Sequence, residues 1–218
     1  MIIAIDGPAG AGKTTVAKGV AKELGFTYID TGAMYRAVTY QAFRLNLDLD
    51  DEEAVTDMAM DMDIHLEEGR VHVNGEDIST QIRSPEVTRS VVKIADNRRV
   101  RERLVSLQRS LGRSLKGAVL EGRDISSVVF PDADFKFYLD ASVQERVRRR
   151  CEELKERGIG IGEERLEEEM ILRDEQDRNR SIGPLRRDKD ALYIDTTSMS
   201  VDEVISRIVR EVKESKIP

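Results

Sequence analysis

The chain has 218 residues, of which 35% are charged and 5% are aromatic, and its formal net charge is −7 at pH 7. This length fits one domain with an insertion or two small domains, and the negative charge disfavours a sequence-independent nucleic-acid-binding protein. No apolar run approaches the length of a membrane span, and the first one ends after five residues at Asp6, which predicts a strand rather than a signal peptide. The single cysteine, Cys151, fits a reducing compartment, so we expect a cytoplasmic protein with no membrane or nucleic-acid partner.

A glycine-rich stretch follows the first predicted strand and precedes a helix predicted over residues 14–24. It consists of Gly7, Pro8, Ala9, Gly10, Ala11, Gly12, Lys13, Thr14 and Thr15. The pattern G-x-x-x-x-G-K-[ST] in this context is typical of a P-loop, which binds the phosphates of ATP through backbone N–H groups and the helix dipole. We expect Lys13 to be an exposed loop cation that reaches the β- and γ-phosphates, and the Thr14 hydroxyl to bind Mg²⁺. A turn that merely links strand to helix would not need the Lys-Thr pair.

A second predicted strand, residues 26–30, leads into a helix that runs to about residue 45. Polar residues at the carboxyl end of a parallel strand lie at the ligand-binding edge of the sheet, so Asp30, Thr31, Tyr35 and Arg36 are candidate site residues. The alternative is that Tyr35 and Arg36 only flank a helix start. The helix dipole disfavours an arginine in that position, which weakens this alternative.

Residues 46–109 interrupt the alternation of strands and helices, and we predict an inserted subdomain there. After a short helix over residues 50–60, apolar and polar residues alternate in three segments with turns at Glu68-Gly69 and Asn74-Gly75, which predicts an antiparallel meander. Two helices should follow, over residues 85–95 and 98–111. The second contains five arginines, most of which we expect to be solvated while one or two face a ligand.

The remainder of the chain returns to alternating strands and helices. Strands are predicted at residues 118–121, 135–139 and 192–195, and helices at residues 142–157, 163–181 and from 200 onward. Five strands separated by helices predict a three-layer α/β core with a parallel sheet, formed by residues 1–45 and 110–218. The glycine-rich link at residues 158–162 predicts a mobile lid over about residues 157–181.

Arginines supply the rest of the candidate site. Arg123 and Asp124 follow the third core strand and should reach the ligand-binding edge. At about 100° per residue, Arg173, Asp177 and Arg180 lie within roughly 60° of one another on a helix. That face suits either a phosphate and a sugar or a surface salt bridge, and the spacing leaves both open. Because phosphoryl transfer depends on positioning and charge neutralisation, the candidate catalytic residues are Lys13, Arg123, Arg173 and Arg180.

Five segments together resemble the bacterial-type cytidylate kinase family: IDGPAGAGKTT, IDTGAMYR, EGRD, VVFPDADFKFYLDAS and RDEQDRNRSIGPL. They cover almost the whole chain in the expected order. The resemblance implies phosphoryl transfer from ATP, with Mg²⁺, to CMP or dCMP. It also implies a nucleoside monophosphate kinase fold with strand order 2-3-1-4-5, a CMP-binding insertion and a short lid. We expect a monomer whose partners are these small-molecule substrates.

The resemblance also implies what each candidate residue contacts. Thr31 and Arg101 correspond to contacts with the cytosine base, with Asp124 beside them; Arg36, Arg123 and Arg180 correspond to contacts with the acceptor phosphate; Arg173 and Asp177 correspond to contacts with the pentose. Val92 departs from the family pattern, in which a pentose-binding serine can occupy this position. Valine cannot donate a hydrogen bond, so the preference between ribose and deoxyribose stays open.

Two alternatives compete with this interpretation. One is a P-loop kinase for another nucleotide or a small metabolite, which would not account for both the EGRD segment and the RDxxxDRxR helix. The other is a non-kinase P-loop switch. A guanine-binding switch would carry N-K-x-D, whereas this chain has Arg187-Asp188-Lys189-Asp190.

Overall fold

The computed structural model describes residues 1–67, 69–156 and 158–215. Glu68 and Arg157, where the sequence predicts a turn and a helix end, lie outside the described residues. The chain divides into two compact units, the first formed by Met1–Thr27 with Lys116–Pro218 and the second by Tyr28–Leu115. Among the described residues, no helix combines the length and the apolar character that crossing a bilayer requires.

Eight strands and eight α-helices make up the described chain. In order they are β1 (Ile2–Asp6), α1 (Lys13–Leu24), β2 (Thr27–Asp30), α2 (Thr31–Arg44), α3 (Glu52–Asp61), β3 (Ile64–Glu67), β4 (Arg70–Val73), β5 (Glu76–Asp77), α4 (Pro85–Asp96), α5 (Arg98–Ser114), β6 (Ala118–Gly122), β7 (Phe135–Asp140), α6 (Val143–Glu156), α7 (Glu163–Asn179), β8 (Leu192–Asp195) and α8 (Val201–Glu214). Two short segments were not predicted from the sequence, a 3₁₀ turn at Gln81–Arg83 and a π-helical turn at Ile125–Val129.

Five of the strands form one sheet in the order β2-β6-β1-β7-β8. β1 pairs in parallel with both β6 and β7, and β7 pairs in parallel with β8. Ile3, Ala4 and Ile5 of the central strand have no exposed surface, as expected for a parallel strand covered on both faces. The predicted α/β class and the predicted order of the core strands are therefore confirmed.

α8 covers the sheet of the first unit together with α1. Ser200 and Glu203 form a reciprocal capping box at the start of α8, as the sequence predicts. Val204, Ile208 and Val212 are buried on one face of this helix, and it packs so closely against α1 that a Cβ added at Gly19 would lie 2.2 Å from Ile205 Cδ1.

The second unit contains α2 to α5 and the small antiparallel sheet β3-β4-β5. Ile64 pairs with Val73 across β3 and β4, and both side chains enter a core shared with α2, α3, α4 and α5. His65 pairs with His72 on the other face of the sheet, where His65 is exposed. The predicted meander is confirmed, and β1 to β8 otherwise begin and end within two residues of the predicted bounds.

Asp6, the last residue of β1, fixes the π-helical turn that the sequence does not predict. Its carboxylate is fully buried and accepts hydrogen bonds from the backbone N–H groups of Ile125 and Ser126, both at 2.8 Å, and from the Ser126 hydroxyl at 2.5 Å. Burial raises the pKa of Asp6, although these hydrogen bonds oppose the shift. The segment that follows Arg123 and Asp124 is thereby tied to the strand that precedes the P-loop.

We expect Asp6→Ala to lower the free energy of unfolding by about 2–4 kcal/mol, because two amides and a hydroxyl lose their buried acceptor while removal of a carboxylate that is costly to bury offsets part of that loss. Urea denaturation measures this change. Asp195→Ala is the matched control, since Asp195 also accepts from a backbone N–H and a hydroxyl, those of Thr197, but is exposed, and it should cost less than about 1 kcal/mol. Equal small losses in both variants would contradict the anchoring role of Asp6.

Candidate active site

The P-loop turns sharply between the buried strand β1 and the first residue of α1. Gly7, Gly10 and Gly12 all have positive φ angles, 152°, 75° and 81° respectively. A Cβ at Gly7 would lie 2.0 Å from the carbonyl oxygen of Leu139, so only glycine fits there. This path directs backbone N–H groups toward the N-terminus of α1, where the helix dipole adds positive potential. This conformation is typical of loops that bind anions.

Lys13 is not the exposed loop cation that the sequence predicts. It is the first residue of α1, is only 6% exposed, and donates from Nζ to the carbonyl oxygen of Pro8 at 2.6 Å. Burial, together with repulsion from Arg123 and Arg173, lowers the pKa of Lys13 from 10.5 to about 7, against the opposing charges of Glu121 and Asp177. The ammonium group is thus buried where the nearby carboxylates do not make up for its loss of solvation.

Asp177 forms ion pairs with two of the candidate arginines in the first unit, Arg123 and Arg180. Its side chain is 1% exposed; Arg123 Nε donates to one carboxylate oxygen at 2.8 Å, and Arg180 Nη2 donates to the other. Burial alone would raise the pKa of Asp177, but the charges of Arg123, Arg180 and Arg173 outweigh it and lower this pKa. Of the two alternatives left open for this helix face, an exposed salt bridge is excluded because the pairs are buried.

Asp124 follows Arg123 and is also buried. It stands between the end of β6 and the π-helical turn that Asp6 holds, so its backbone is fixed on both sides. Arg123 itself has its pKa raised: burial opposes the charge, but the carboxylate of Asp177 more than offsets that burial. The Gly122-Arg123-Asp124 segment therefore carries one cation and one carboxyl group on a backbone that is held on both sides.

In the second unit, Asp30 has the corresponding role. Its carboxylate accepts from the N–H of Ala33, which caps α2, and pairs with Arg36 at 2.8 Å and with Arg83 at 3.6 Å. Burial would raise the pKa of Asp30, but the two arginines outweigh that effect and lower it. Thr31, the next residue, is buried within the first turn of α2.

Arg101 is the one arginine among the five predicted on α5 that is fully buried, at 2% exposure. Its Nη1 donates to the carbonyl oxygen of Ala95 at 3.3 Å, and its guanidinium lies over the Tyr35 ring, 5.6 Å from the centroid. Arg98 and Arg99 are exposed, as predicted for most of this set. The structure therefore separates Arg101 from the solvated face of its helix.

The predicted site residues fall into two groups, one in each unit. The first unit contains Gly7 to Thr15, Arg123, Asp124, Arg173, Asp177 and Arg180; the second contains Thr31, Tyr35, Arg36 and Arg101. Within the first group, Arg173 repels the Lys13 ammonium group, and the Asp177 carboxylate attracts both. Within the second, Tyr35 links α2 to Arg101.

Comparison with known proteins identifies the family. The family model for cytidylate kinase matches residues 3–214. The chain belongs to the cytidylate kinase family. A cytidylate kinase from Caldanaerobacter subterraneus is 48% identical, with 98% of this chain and 95% of that protein covered. The cytidylate kinase of Bacillus velezensis is 49% identical with 97% and 96% covered, and that of Clostridioides difficile is 44% identical with 97% and 98% covered.

Solved structures support the fold at lower identity. A Thermus thermophilus protein matches with a TM-score of 0.53 and 15% identity, over 100% of this chain and 98% of its own. An uncharacterised protein from Eubacterium ventriosum matches with a TM-score of 0.55 and 13% identity, over 98% of both chains. At these identities the likeness concerns the α/β architecture alone.

Sequence reasoning missed several charged residues that lie close to candidate site residues within their own unit. These are Asp6, Arg83, Glu121, Arg146 and Asp174. Glu121 and Asp174 lie inside the recognised EGRD and RDEQDRNR segments, so position in a motif could have identified them. Arg83 and Arg146 carry no such signal, because each becomes relevant only through a contact distant in sequence.

The burial of Lys13 predicts an unusual stability effect in the nucleotide-free enzyme. Between pH 7 and 10.5, Lys13 is protonated in the unfolded chain and largely deprotonated in the folded chain. The contribution of Lys13 to the free energy of unfolding of the wild type therefore rises with pH. Lys13→Met should therefore raise the free energy of unfolding by about 1–3 kcal/mol at pH 7, and this gain should shrink as the pH approaches 10.5.

Urea denaturation of both proteins at pH 7, 8 and 9 measures the difference. Lys22→Met, at an exposed position of the same helix, is the control and should change stability by less than about 0.5 kcal/mol. A destabilised Lys13→Met at pH 7 would contradict the uncompensated burial of this ammonium group.

Proposed function

We propose that this chain transfers the γ-phosphoryl group of ATP to the phosphate of CMP or dCMP, giving ADP and CDP or dCDP. The observation that carries the proposal is that the P-loop with buried Lys13 shares one unit with arginines held on Asp177, in a chain of the cytidylate kinase family. Phosphoryl transfer requires cations at fixed positions around both the donor and the acceptor phosphate.

Residues 7–15 bind the phosphates of ATP in this proposal. The N–H groups of the loop and the N-terminus of α1 surround the anion, and Lys13 reaches the β- and γ-phosphates. Because the pKa of Lys13 is lowered to about 7 without nucleotide, the arriving phosphates stabilise its charged form and should draw a proton onto it. Its ammonium group is then fully charged when the reaction occurs.

The Thr14 hydroxyl fits the single protein ligand that Mg²⁺ usually takes beside nucleotide phosphates. Thr14 is partly exposed and lies in the first turn of α1, directly after Lys13. Mg²⁺ held by Thr14 would supply positive charge beside the phosphates of ATP.

Arg36, Arg123 and Arg180 bind the acceptor phosphate. Asp30 and Asp177 hold these guanidinium groups before the substrate arrives, which lowers the reorganisation that binding requires. An oxygen of the acceptor phosphate attacks the γ-phosphorus of ATP, the bond to the ADP oxygen breaks, and Lys13 and Arg173 neutralise the charge that spreads over the transferring group. Arg173 and Asp177 also lie on the pentose side of the acceptor.

The base is recognised by hydrogen-bond polarity. Cytosine has an acceptor at N3 and a donor at its exocyclic amine, and uracil has the reverse. Arg101 donates to N3, whereas Thr31 or Asp124 accepts from the amine. Tyr35 and the carbonyl of Ala95 fix the Arg101 side chain, so that it cannot readily turn to suit uracil.

The same proposal covers the organisation of the chain. Residues 1–45 and 110–218 form the kinase core, residues 46–109 form the CMP-binding subdomain, and residues from about 157 to 181 form a lid. The enzyme acts as a monomer in the cytoplasm, where both of its substrates are found.

An acceptor panel tests the reaction. ADP release should be fastest with CMP and dCMP, at least about tenfold in kcat/KM above UMP, AMP, GMP, shikimate or no acceptor, because each mispaired polar group costs about 1–3 kcal/mol. Lys13→Met, prepared identically, is the control for contaminating kinases and should be inactive. Preference for any other acceptor, or turnover that survives Lys13→Met, would refute the proposal.

A second prediction concerns base selectivity. Arg101→Met should lower the ratio of kcat/KM for CMP over UMP by about 10- to 150-fold, the equivalent of one charge-assisted hydrogen bond of about 1.5–3 kcal/mol. Arg103→Met is the matched control, since Arg103 lies on the same helix and donates to the carbonyl oxygen of Met62. An unchanged ratio in a folded Arg101→Met enzyme would remove Arg101 from the base pocket.

A further inference from the structure

A buried ion pair lies against the P-loop and has no part in the contacts described above. Arg146 of α6 and Asp174 of α7 have side chains that are 4% and 2% exposed, and Arg146 Nη1 lies 2.5 Å from Asp174 Oδ2. Both belong to the first unit. Two charges so fully removed from water make a costly contribution to a fold, which apolar side chains of similar size could replace.

The pair holds one residue of the P-loop at both of its backbone polar groups. Arg146 Nη1 donates to the carbonyl oxygen of Ala9 at 3.0 Å, and the N–H of Ala9 donates to Asp174 Oδ1 at 3.4 Å. Arg146 Nε also donates to the carbonyl oxygen of Ala141, just after β7, at 3.2 Å. The guanidinium therefore joins the end of a core strand, the phosphate-binding loop and α7.

The next P-loop residue confirms how closely the two helices approach. A Cβ added at Gly10 would lie 2.8 Å from Met170 Cε, on α7, and 3.0 Å from both the carbonyl oxygen and Cβ of Arg146, on α6. At Gly10 the loop is therefore in close contact with both helices. This contact and the hydrogen bonds of Ala9 couple the position of α7 to that of the P-loop.

Asp174 lies on the same helix, α7, as the candidate site residues Arg173 and Asp177. Arg173 precedes it directly, and Asp177, which holds Arg123 and Arg180, follows it by three residues. One helix thus carries both the residue that contacts Ala9 of the P-loop and the anchor of two arginines assigned to the acceptor.

We infer that Arg146 and Asp174 are positioning residues, which keep the P-loop at a fixed distance from the acceptor-binding arginines anchored on α7. The inference rests on the proposed function. A misplacement of about 1 Å between reacting groups costs on the order of 100-fold in rate, whereas binding of each nucleotide by its own contacts is affected much less. Loss of the pair should therefore lower kcat more than it raises KM.

The test variant is the double substitution Arg146→Met with Asp174→Leu, which removes both charges together and leaves neither one buried and unpaired. We expect a folded enzyme whose thermal midpoint falls by up to about 10 °C, because the backbone groups of Ala9 and Ala141 lose their partners while the cost of burying two charges is relieved. Its kcat should fall about 10- to 100-fold, while KM for ATP and for CMP change less than about threefold.

The matched control is Arg165→Gln with Glu169→Gln. These residues form an exposed ion pair, four residues apart on the same helix α7, with an N–O distance of 3.3 Å. This variant should keep the wild-type kcat and both KM values. Asp174→Glu is a second test variant, because it retains the charges but lengthens the side chain by one methylene, and its kcat should fall between wild type and the double variant.

Hydrogen exchange supplies a readout that does not depend on turnover. The amide of Ala9 should exchange at least about tenfold faster in the nucleotide-free double variant than in wild type, and should be unchanged in the control.

If wild type itself fails to phosphorylate CMP, the proposed function fails, whereas faster exchange at Ala9 still supports the inference that the Arg146–Asp174 pair holds the P-loop. A wild-type kcat in both the double variant and Asp174→Glu, or unchanged exchange at Ala9, would overturn the inference. Should the double variant not fold, the kcat and the exchange rate of Asp174→Glu decide.

Discussion

The structure of the site depends on the burial of a lysine ammonium group among charges that do not compensate it. Burial is the largest cause of the lowered pKa of Lys13; Arg123 and Arg173 add to it, while Glu121 and Asp177 oppose it without restoring the ordinary value. Water would ordinarily solvate that charge, but the packing of α1 beneath the P-loop excludes it. If this group binds the phosphates of ATP as we propose, their negative charge would offset the cost of burying it, so a feature that lowers the stability of the fold would favour binding of the substrate. The other charged groups described here keep this arrangement in place.

Much of the fold could be predicted because its signals are local. Gly7 and Gly12 adopt backbone conformations that favour glycine, Ser200 and Glu203 form a capping box, and the alternating residues around Val71 and Val73 form the meander. Each signal involves residues only a few positions apart, whose geometry is set by backbone sterics and hydrogen bonding.

The charged contacts around the site could not be predicted in the same way. Asp6 binds the turn at Ile125–Val129 across about 120 residues, and Arg146 meets Ala9 across more than 130. No periodicity links such partners, and a charged residue on a helix is exposed more often than buried. For the same reason Lys13 was predicted to be exposed: the motif identifies the residue but does not reveal how deeply the rest of the chain covers it.

The two units share one device, a largely buried carboxylate that holds two arginines. Asp30 pairs with Arg36 and Arg83, and Asp177 pairs with Arg123 and Arg180. Two guanidinium groups placed side by side would repel each other and move apart, so the carboxylate fixes their spacing before any phosphate is present. It also leaves each trio with one net positive charge rather than two. A site for phosphoryl transfer must bind a charged acceptor and then release a product with one more phosphate. If these arginines bind the acceptor as we propose, their carboxylate partners leave directional donors for it, and the half-neutralised charge would hold the more highly charged product less tightly than unpaired arginines would.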